Sequence, residues 1–309
     1  MGPVLSSFTF TRCRPASDSR PFFYDITNLS SQINAFARIM LSLLSALMVA
    51  PLCLAHMQMT KPYPFRSPFD PANDYTNIDY SMNAPLEQDG SNYPCKGYNS
   101  LFDQTPAKDT LTAGQKYSIT IGGTAPHNGG SCQVSLSYDN GQTFAVIHSI
   151  IGGCPLTDEY EFMVPDGTPS AEKVLLSWSW INHSGNREFY QNCSPVKVVN
   201  SNANAELRAP TLFRANSFPD GTCISPEGLD VVFPNPGASI VYGGAYAANP
   251  PTEVSTLPNC NYNQVRTVVV SSSGATSVED GLTSGETPEN VPTPTSSPEE
   301  EPQVTSAAI

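Results

Sequence analysis

The sequence predicts an all-β protein, an antiparallel β-sandwich with long loops and disulfide bracing. Three observations predict it. Helical periodicity is scarce, and short alternating or β-rich runs separated by Gly, Pro, Asn and Asp dominate. One hairpin signal is strong: Asp139-Asn140-Gly141-Gln142 stands between two such runs, and Asn-Gly supplies the positive φ that a tight two-residue turn needs. The third is cysteine usage. Six cysteines follow residue 55 (Cys95, Cys132, Cys154, Cys193, Cys223 and Cys260), an even number with no C-x-x-C pair to favour zinc. Many connectivities are open to six cysteines. The favoured set is Cys132–Cys154, Cys95–Cys193 and Cys223–Cys260, and the second closes a loop of about 100 residues, worth up to roughly 4–5 kcal/mol in the chain-entropy picture.

Taken in order, residues 1–55 read as a leader. Leu41–Ala50 is apolar, Arg38 precedes it, and Cys53 and Ala55 are small, the pattern of a secretory signal cleaved after Ala55. Signal peptides occupy roughly the first 15–30 residues. The expectation is therefore a signal peptide over 40–55, with Met40 as the true start or residues 1–39 as an unstructured extension. The apolar run Ile39–Ala55 is at the short limit for a membrane span, about 17 residues, and Pro51 interrupts it. Secretion is expected rather than anchoring, with His56 as the first residue of the mature chain.

The folded domain is expected over residues 56–265. From His56 to Cys95 the chain is rich in Pro, Tyr and Phe, either a loop packed by its own aromatics or a lip that contacts a substrate. Strands are expected at Lys116–Ile121, Cys132–Tyr138, Thr143–Ser149, Tyr160–Val164, Lys173–Ile181 and Glu188–Val199. In the fifth, Val174, Leu176, Trp178 and Trp180 share one face. Residues 200–262 are less regular and are expected to wrap the sandwich. Residues 266–309 are expected to be disordered. From 271 onward there are 14 Ser or Thr, five Pro, seven acidic residues and no basic one, a composition that cannot bury a core and that suits an O-glycosylated tail. Asn182-His183-Ser184 and Asn192-Cys193-Ser194 are N-glycosylation sequons.

The net charge is −13 at pH 7. The leader carries four Arg and two Asp, so the remainder is more acidic still. A nucleic-acid binder needs the opposite sign, and an anionic membrane is disfavoured on the same ground. An uncharged polysaccharide is compatible.

Four histidines carry the chemical argument: His56, His127, His148 and His183. An N-terminal His56 offers a free α-amine and an imidazole from one residue. His127 stands in Ala125-Pro126-His127-Asn128-Gly129-Gly130, a loop before a strand, where it reads as displayed rather than buried. Glu188 and Tyr190 alternate onto one face while Phe189 points the other way. Two imidazoles, an amine and an axial phenol suit copper(II), which prefers tetragonal N/O donors; no thiolate or thioether is included, unlike a blue-copper site. His148 reads as a surface or packed residue, and His183 as a candidate substrate contact.

Together these pieces make the chain resemble a fungal lytic polysaccharide monooxygenase of auxiliary activity family eleven. The resemblance rests on His56-Met57-Gln58-Met59, Asp89-Gly90-Ser91-Asn92-Tyr93-Pro94-Cys95-Lys96, His127-Asn128-Gly129-Gly130-Ser131-Cys132, Gly152-Gly153-Cys154-Pro155, Trp178-Ser179-Trp180 and Gly185–Cys193, in order to about residue 240. It implies an immunoglobulin-like or fibronectin-like sandwich holding one mononuclear copper. His56 and His127 are the implied histidine brace and Tyr190 the axial ligand. Ala125 is the implied small residue beside the open axial side, and Glu188 an acid that relays a proton to a copper-bound oxygen species. It also implies oxidative cleavage of glycosidic bonds in an insoluble polysaccharide, chitin first, using an external electron donor and hydrogen peroxide or dioxygen, by a secreted monomer. Phe65–Tyr80 and Pro126 depart from the family pattern. The rival reading is a non-catalytic copper-binding protein with the same brace; a carbohydrate-binding module acting through its aromatic lip is a third. A glycoside hydrolase needs a distinctive carboxylate pair, which the sequence does not offer.

Overall fold

A computed structural model describes residues 56–260 and 265–281. Packing divides the chain into Met1–Cys53 and Leu54–Ile309, and every described residue belongs to the second unit. The expected leader and the chain beyond residue 281 lie outside the described residues. Among the described residues no helix is long and apolar enough to cross a membrane.

Twelve strands are described: β1 (Met57–Lys61), β2 (Thr110–Thr112), β3 (Lys116–Gly123), β4 (Gly130–Ser137), β5 (Ala145–Ile151), β6 (Glu159–Met163), β7 (Ala171–Asn182), β8 (Phe189–Val199), β9 (Glu206–Pro210), β10 (Ile240–Tyr242), β11 (Val265–Ser271) and β12 (Thr276–Gly281). They form three sheets: β1-β3-β6, β10-β5-β4-β7-β8-β2 and β12-β11-β9. Pairing is antiparallel except at the edges of the large sheet, where β10 runs parallel to β5 and β2 parallel to β8. All six expected strands form, and Asn140 and Gly141 take the positive φ the hairpin required.

The sandwich core lies between the large sheet and the two small ones. Met57, Met59, Ile119, Ile121 and Phe162 meet Val134, Leu136, Val174, Leu176, Trp178, Trp180 and Tyr190, with Val268 and Val270 joining from β11. Three disulfides brace it, Cys95–Cys193, Cys132–Cys154 and Cys223–Cys260, as favoured from the sequence.

The other face of the large sheet is also buried, under loops. Ser131, Gln133, Ser135, Ser177, Ser179 and Gln191 alternate with the apolar core residues, yet all are covered. Most of them are hydrogen-bonded: Gln133 spans from Ser149 Oγ to the Phe213 amide, and Gln191 from Ser177 Oγ to the Cys95 amide. Residues 211–260 cover one half of this face through Phe189, Val231 and Phe233. The early loop covers the other half through Phe65 and the Cys95–Cys193 bridge.

Two expectations are corrected. Residues 266–281, expected to be disordered, form strands: β11 pairs antiparallel with both β9 and β12, because its valines fill the core. The Asn182 sequon is closed in the folded domain, as is the Asn192 sequon, whose central cysteine and place beside Tyr190 already argued against its use. Asn182 and Asn192 are buried, and both amide groups are committed to internal hydrogen bonds.

Candidate metal centre

One end of the sandwich gathers residues from four elements. His56 precedes β1, and its carbonyl accepts a hydrogen bond from the Thr124 amide. β1 is held on both sides: it pairs with β3 from Met57↔Gly123 onward, and the Met59 amide donates to Asn192 Oδ1 on β8 at 2.8 Å. His127 sits in the β3–β4 loop at φ 48°, half-buried. Ser184 clamps that loop, its amide and hydroxyl both donating to the His127 carbonyl. Gly130 is required where the loop enters β4: a Cβ there would strike the Ile181 carbonyl oxygen and the Trp180 indole. Glu188 precedes β8 and Tyr190 lies within it. Asn182 staples the hairpin between β7 and β8, its amide donating to the Ser184 and Asn186 carbonyls while its oxygen accepts from the Glu188 amide.

The side chains converge. His56 and His127 have ring centroids 6.2 Å apart, and His56 and Tyr190 5.9 Å. The Tyr190 hydroxyl donates to Glu188 Oε2 at 2.6 Å, and that oxygen lies 3.4 Å from His127 Nε2. Trp180 forms the floor, 4.4 Å from the Tyr190 ring and 5.7 Å from His127, its indole donating to the Gly129 carbonyl. His127 is therefore less displayed than the sequence suggested: its ring rests on Trp180, and its Nε2 is buried without a hydrogen-bond partner.

That orphaned nitrogen tests whether the residues fit a metal. A buried imidazole nitrogen without a partner loses its hydration for nothing unless something absent from the protein fills the place. Donor atoms of His56, His127 and Glu188 lie within 4.8 Å of one another, the one such cluster among the described residues. All six cysteines of the domain are in disulfides, so the donors are nitrogen and oxygen, the set that suits copper(II). Burial, with His127 and Lys96 adding and Glu188 opposing, holds the His56 imidazole below its ordinary pKa, and neutral imidazole is the metal-binding form. Burial first, then the bond to Glu188, pushes the Tyr190 phenol well above its usual range, so it stays protonated at neutral pH.

The structure thus brings His56, His127, Glu188 and Tyr190 together, with half-buried Ala125 two residues before His127 in the same loop. His148 is elsewhere, buried on β5 against Phe162 and bonded to Ser239. His183 lies in the β7–β8 hairpin, paired with Asp230. Sequence reasoning missed three supporting residues. Trp180 read as core and as part of a matched motif, Gly185 only as the start of another, and Asn182 only as a sequon; a Cβ on Gly185 would stand 3.1 Å from His127 Nδ1.

No known family profile matches the chain. It is 48% identical over 192 residues to a protein of Aspergillus fumigatus named AA11 family lytic polysaccharide monooxygenase A, covering 60% of this chain and 85% of that one. An Aspergillus oryzae protein named AA11 family lytic polysaccharide monooxygenase is 34% identical over 230 residues, and a second A. fumigatus protein, AA11 family lytic polysaccharide monooxygenase B, 35% over 224. The alignments cover 51% and 50% of those two longer proteins. The solved structure of HiLPMO9B aligns at a TM-score of 0.32 and 14% identity over 57% of this chain and 81% of that one, a likeness that carries no argument.

Proposed function

Because the chain belongs to the AA11 family of lytic polysaccharide monooxygenases, copper-dependent oxidoreductases, we propose that it is a secreted, monomeric enzyme that cleaves chitin oxidatively. His56, through its α-amine and imidazole, and His127, through Nε2, would hold one copper ion, with the Tyr190 hydroxyl as a further oxygen donor. The buried, unpartnered Nε2 of His127 facing His56 is the observation that carries this reading. Copper, reduced by an external donor, supplies the one-electron chemistry by which hydrogen peroxide or dioxygen oxidises a sugar C–H bond.

The protein's own part is positioning and proton control. The α-amine forms only when the chain is cut before His56, so processing creates a ligand. Trp180 packs beneath the rings and keeps water from that side. Glu188 Oε2 accepts a hydrogen bond from the Tyr190 hydroxyl at 2.6 Å and lies 3.4 Å from His127 Nε2, where a carboxylate can pass a proton to or from a co-substrate oxygen. The Tyr190 oxygen, donating its proton to Glu188, keeps its lone pairs and could serve as a further donor to the metal. Ala125, half-buried two residues before His127, is too small to fill the space beside that loop. Outside the centre, the Phe65–Tyr80 loop buries Phe65 but exposes Tyr75 and Tyr80, rings of the kind that stack on sugars. Lys96, whose charge reaches His56, meets Asp79 near the end of this loop and holds the segment after it through the Ser81 and Ala84 carbonyls.

The test pairs intact mass with product analysis. The secreted chain is expected to begin at His56 and bind one copper. With reductant and peroxide on chitin, it is expected to release oxidised oligosaccharides. A mature chain beginning elsewhere overturns the brace. Copper binding with no oxidised product from chitin, cellulose or other glucans leaves a copper carrier instead.

A further inference from the structure

We infer that His183, oriented by Asp230, is a substrate-contact residue whose Nε2 accepts a hydrogen bond from the polysaccharide beside the copper centre. The inference rests on the function proposed above and adds a contact that copper binding does not need.

Asp230 is 8% exposed, and its Oδ1 lies 2.8 Å from His183 Nδ1. Burying a carboxylate is costly unless it is paired, so its place beside a part-exposed imidazole calls for a reason. In the neutral ring this bond puts the proton on Nδ1 and leaves Nε2 as an acceptor. Nε2 has no partner in the protein and is not among the buried unpartnered atoms, so it faces solvent.

The position of that nitrogen is fixed to the metal loop. The His183 amide donates to the Gly129 carbonyl and the Ser184 amide to the His127 carbonyl, so the backbone carrying His183 is zipped to the backbone carrying His127. The outer side is held by the Gly228 amide on the His183 carbonyl and by Arg187, which donates to the Asn182 and Pro226 carbonyls. Tyr246 closes the cluster: a Cβ on Gly152 would meet both the Tyr246 ring and Asp230 Oδ2 at 3.0 Å. The His183–Asp230 pair has no third ligand and is not a second metal site; the one candidate cluster among the described residues is at His56. It is instead a rigid acceptor open to solvent, which suits a sugar. The donor is a ring hydroxyl or the N–H of an acetamido group, and the two are separated by comparing cellulose with chitin.

Equilibrium binding of the mature protein to each polysaccharide, run beside copper titration, tests this. His183→Ala is expected to weaken binding about fivefold to tenfold, the range for one hydrogen bond, while copper affinity and the copper EPR spectrum stay as in the wild type. His183→Gln, which keeps an acceptor, is expected to recover part of the loss. Asp230→Asn, which lets the ring take either tautomer, is expected to weaken binding about twofold to threefold at unchanged copper affinity. A loss confined to chitin identifies the acetamido donor; an equal loss on both identifies a hydroxyl. Wild-type binding by His183→Ala overturns the inference and leaves the proposed function standing. So does a loss of copper affinity that parallels the loss of binding. A wild-type protein that binds neither polysaccharide overturns both.

Discussion

At the scale of single residues, the centre depends on groups that do not touch the metal position. Gly185 is the sharpest case. Its φ is +89°, and a Cβ would press on His127 Nδ1, so Gly185→Ala is expected to turn the imidazole and lower copper affinity about tenfold, the usual scale for disturbing a ligand's support. Isothermal titration and a changed EPR spectrum report this, and the melting temperature is expected to fall as well, because an alanine is strained at that positive φ. The principal side chains were legible in the sequence because their chemistry is distinctive. A histidine after a cleavage pattern, another before paired glycines, and a Glu-x-Tyr on one strand face say little singly, and it was their ordered combination that pointed to a metal site. Their supports were not legible. Asn182 acts through three hydrogen bonds that exist only once the β7–β8 hairpin has closed, and Gly185 acts through the side chain it lacks.

At the scale of elements, the strands with clean alternation were readable and the short or apolar-poor ones were not. β1 reads Met-Gln-Met-Thr-Lys, with Thr60 its one β-branched residue, and it forms because β3 and Asn192 hold it. The polar face of β4 and β7 is covered by loops; a sequence shows that serines and glutamines alternate but not that a distant loop returns to satisfy them. β11 was assigned to the tail because the Ser, Thr and acidic residues after it dominate the local composition, although Val268-Val269-Val270 is a β-branched run. Ending the chain at residue 264 removes Val268 and Val270 from the core. At about 1.5–3 kcal/mol for each buried valine, this truncation is expected to cost roughly 3–6 kcal/mol in urea unfolding, whereas ending it at 281 is expected to cost nothing measurable.

At the scale of the whole molecule, the protein is an acidic sandwich whose stability should fall in mild acid for an identifiable reason. Burial lowers the pKa of His148 to about 4 from an ordinary 6.5. Between those values the unfolded chain binds the extra proton, so stability rises with pH across this window. His148 adds no penalty at pH 7 and costs at most roughly 3 kcal/mol near pH 4. His148→Gln is expected to flatten the difference between unfolding free energies measured at pH 7 and pH 4.5, with the carboxylate contributions common to both proteins cancelling. Acid tolerance and the proposed metal chemistry thus rest on different histidines, on different elements. The same separation applies at the start of the domain. The β1–β3 ladder begins at Met57, one residue after the first ligand, so nothing in the strand pairing senses whether His56 carries a free amine. A preparation with one stray residue upstream would melt, migrate and scatter like the correct one while lacking a copper ligand. Purification tags therefore belong at the C-terminus, and the release criterion for an active batch is an intact mass rather than a melting curve.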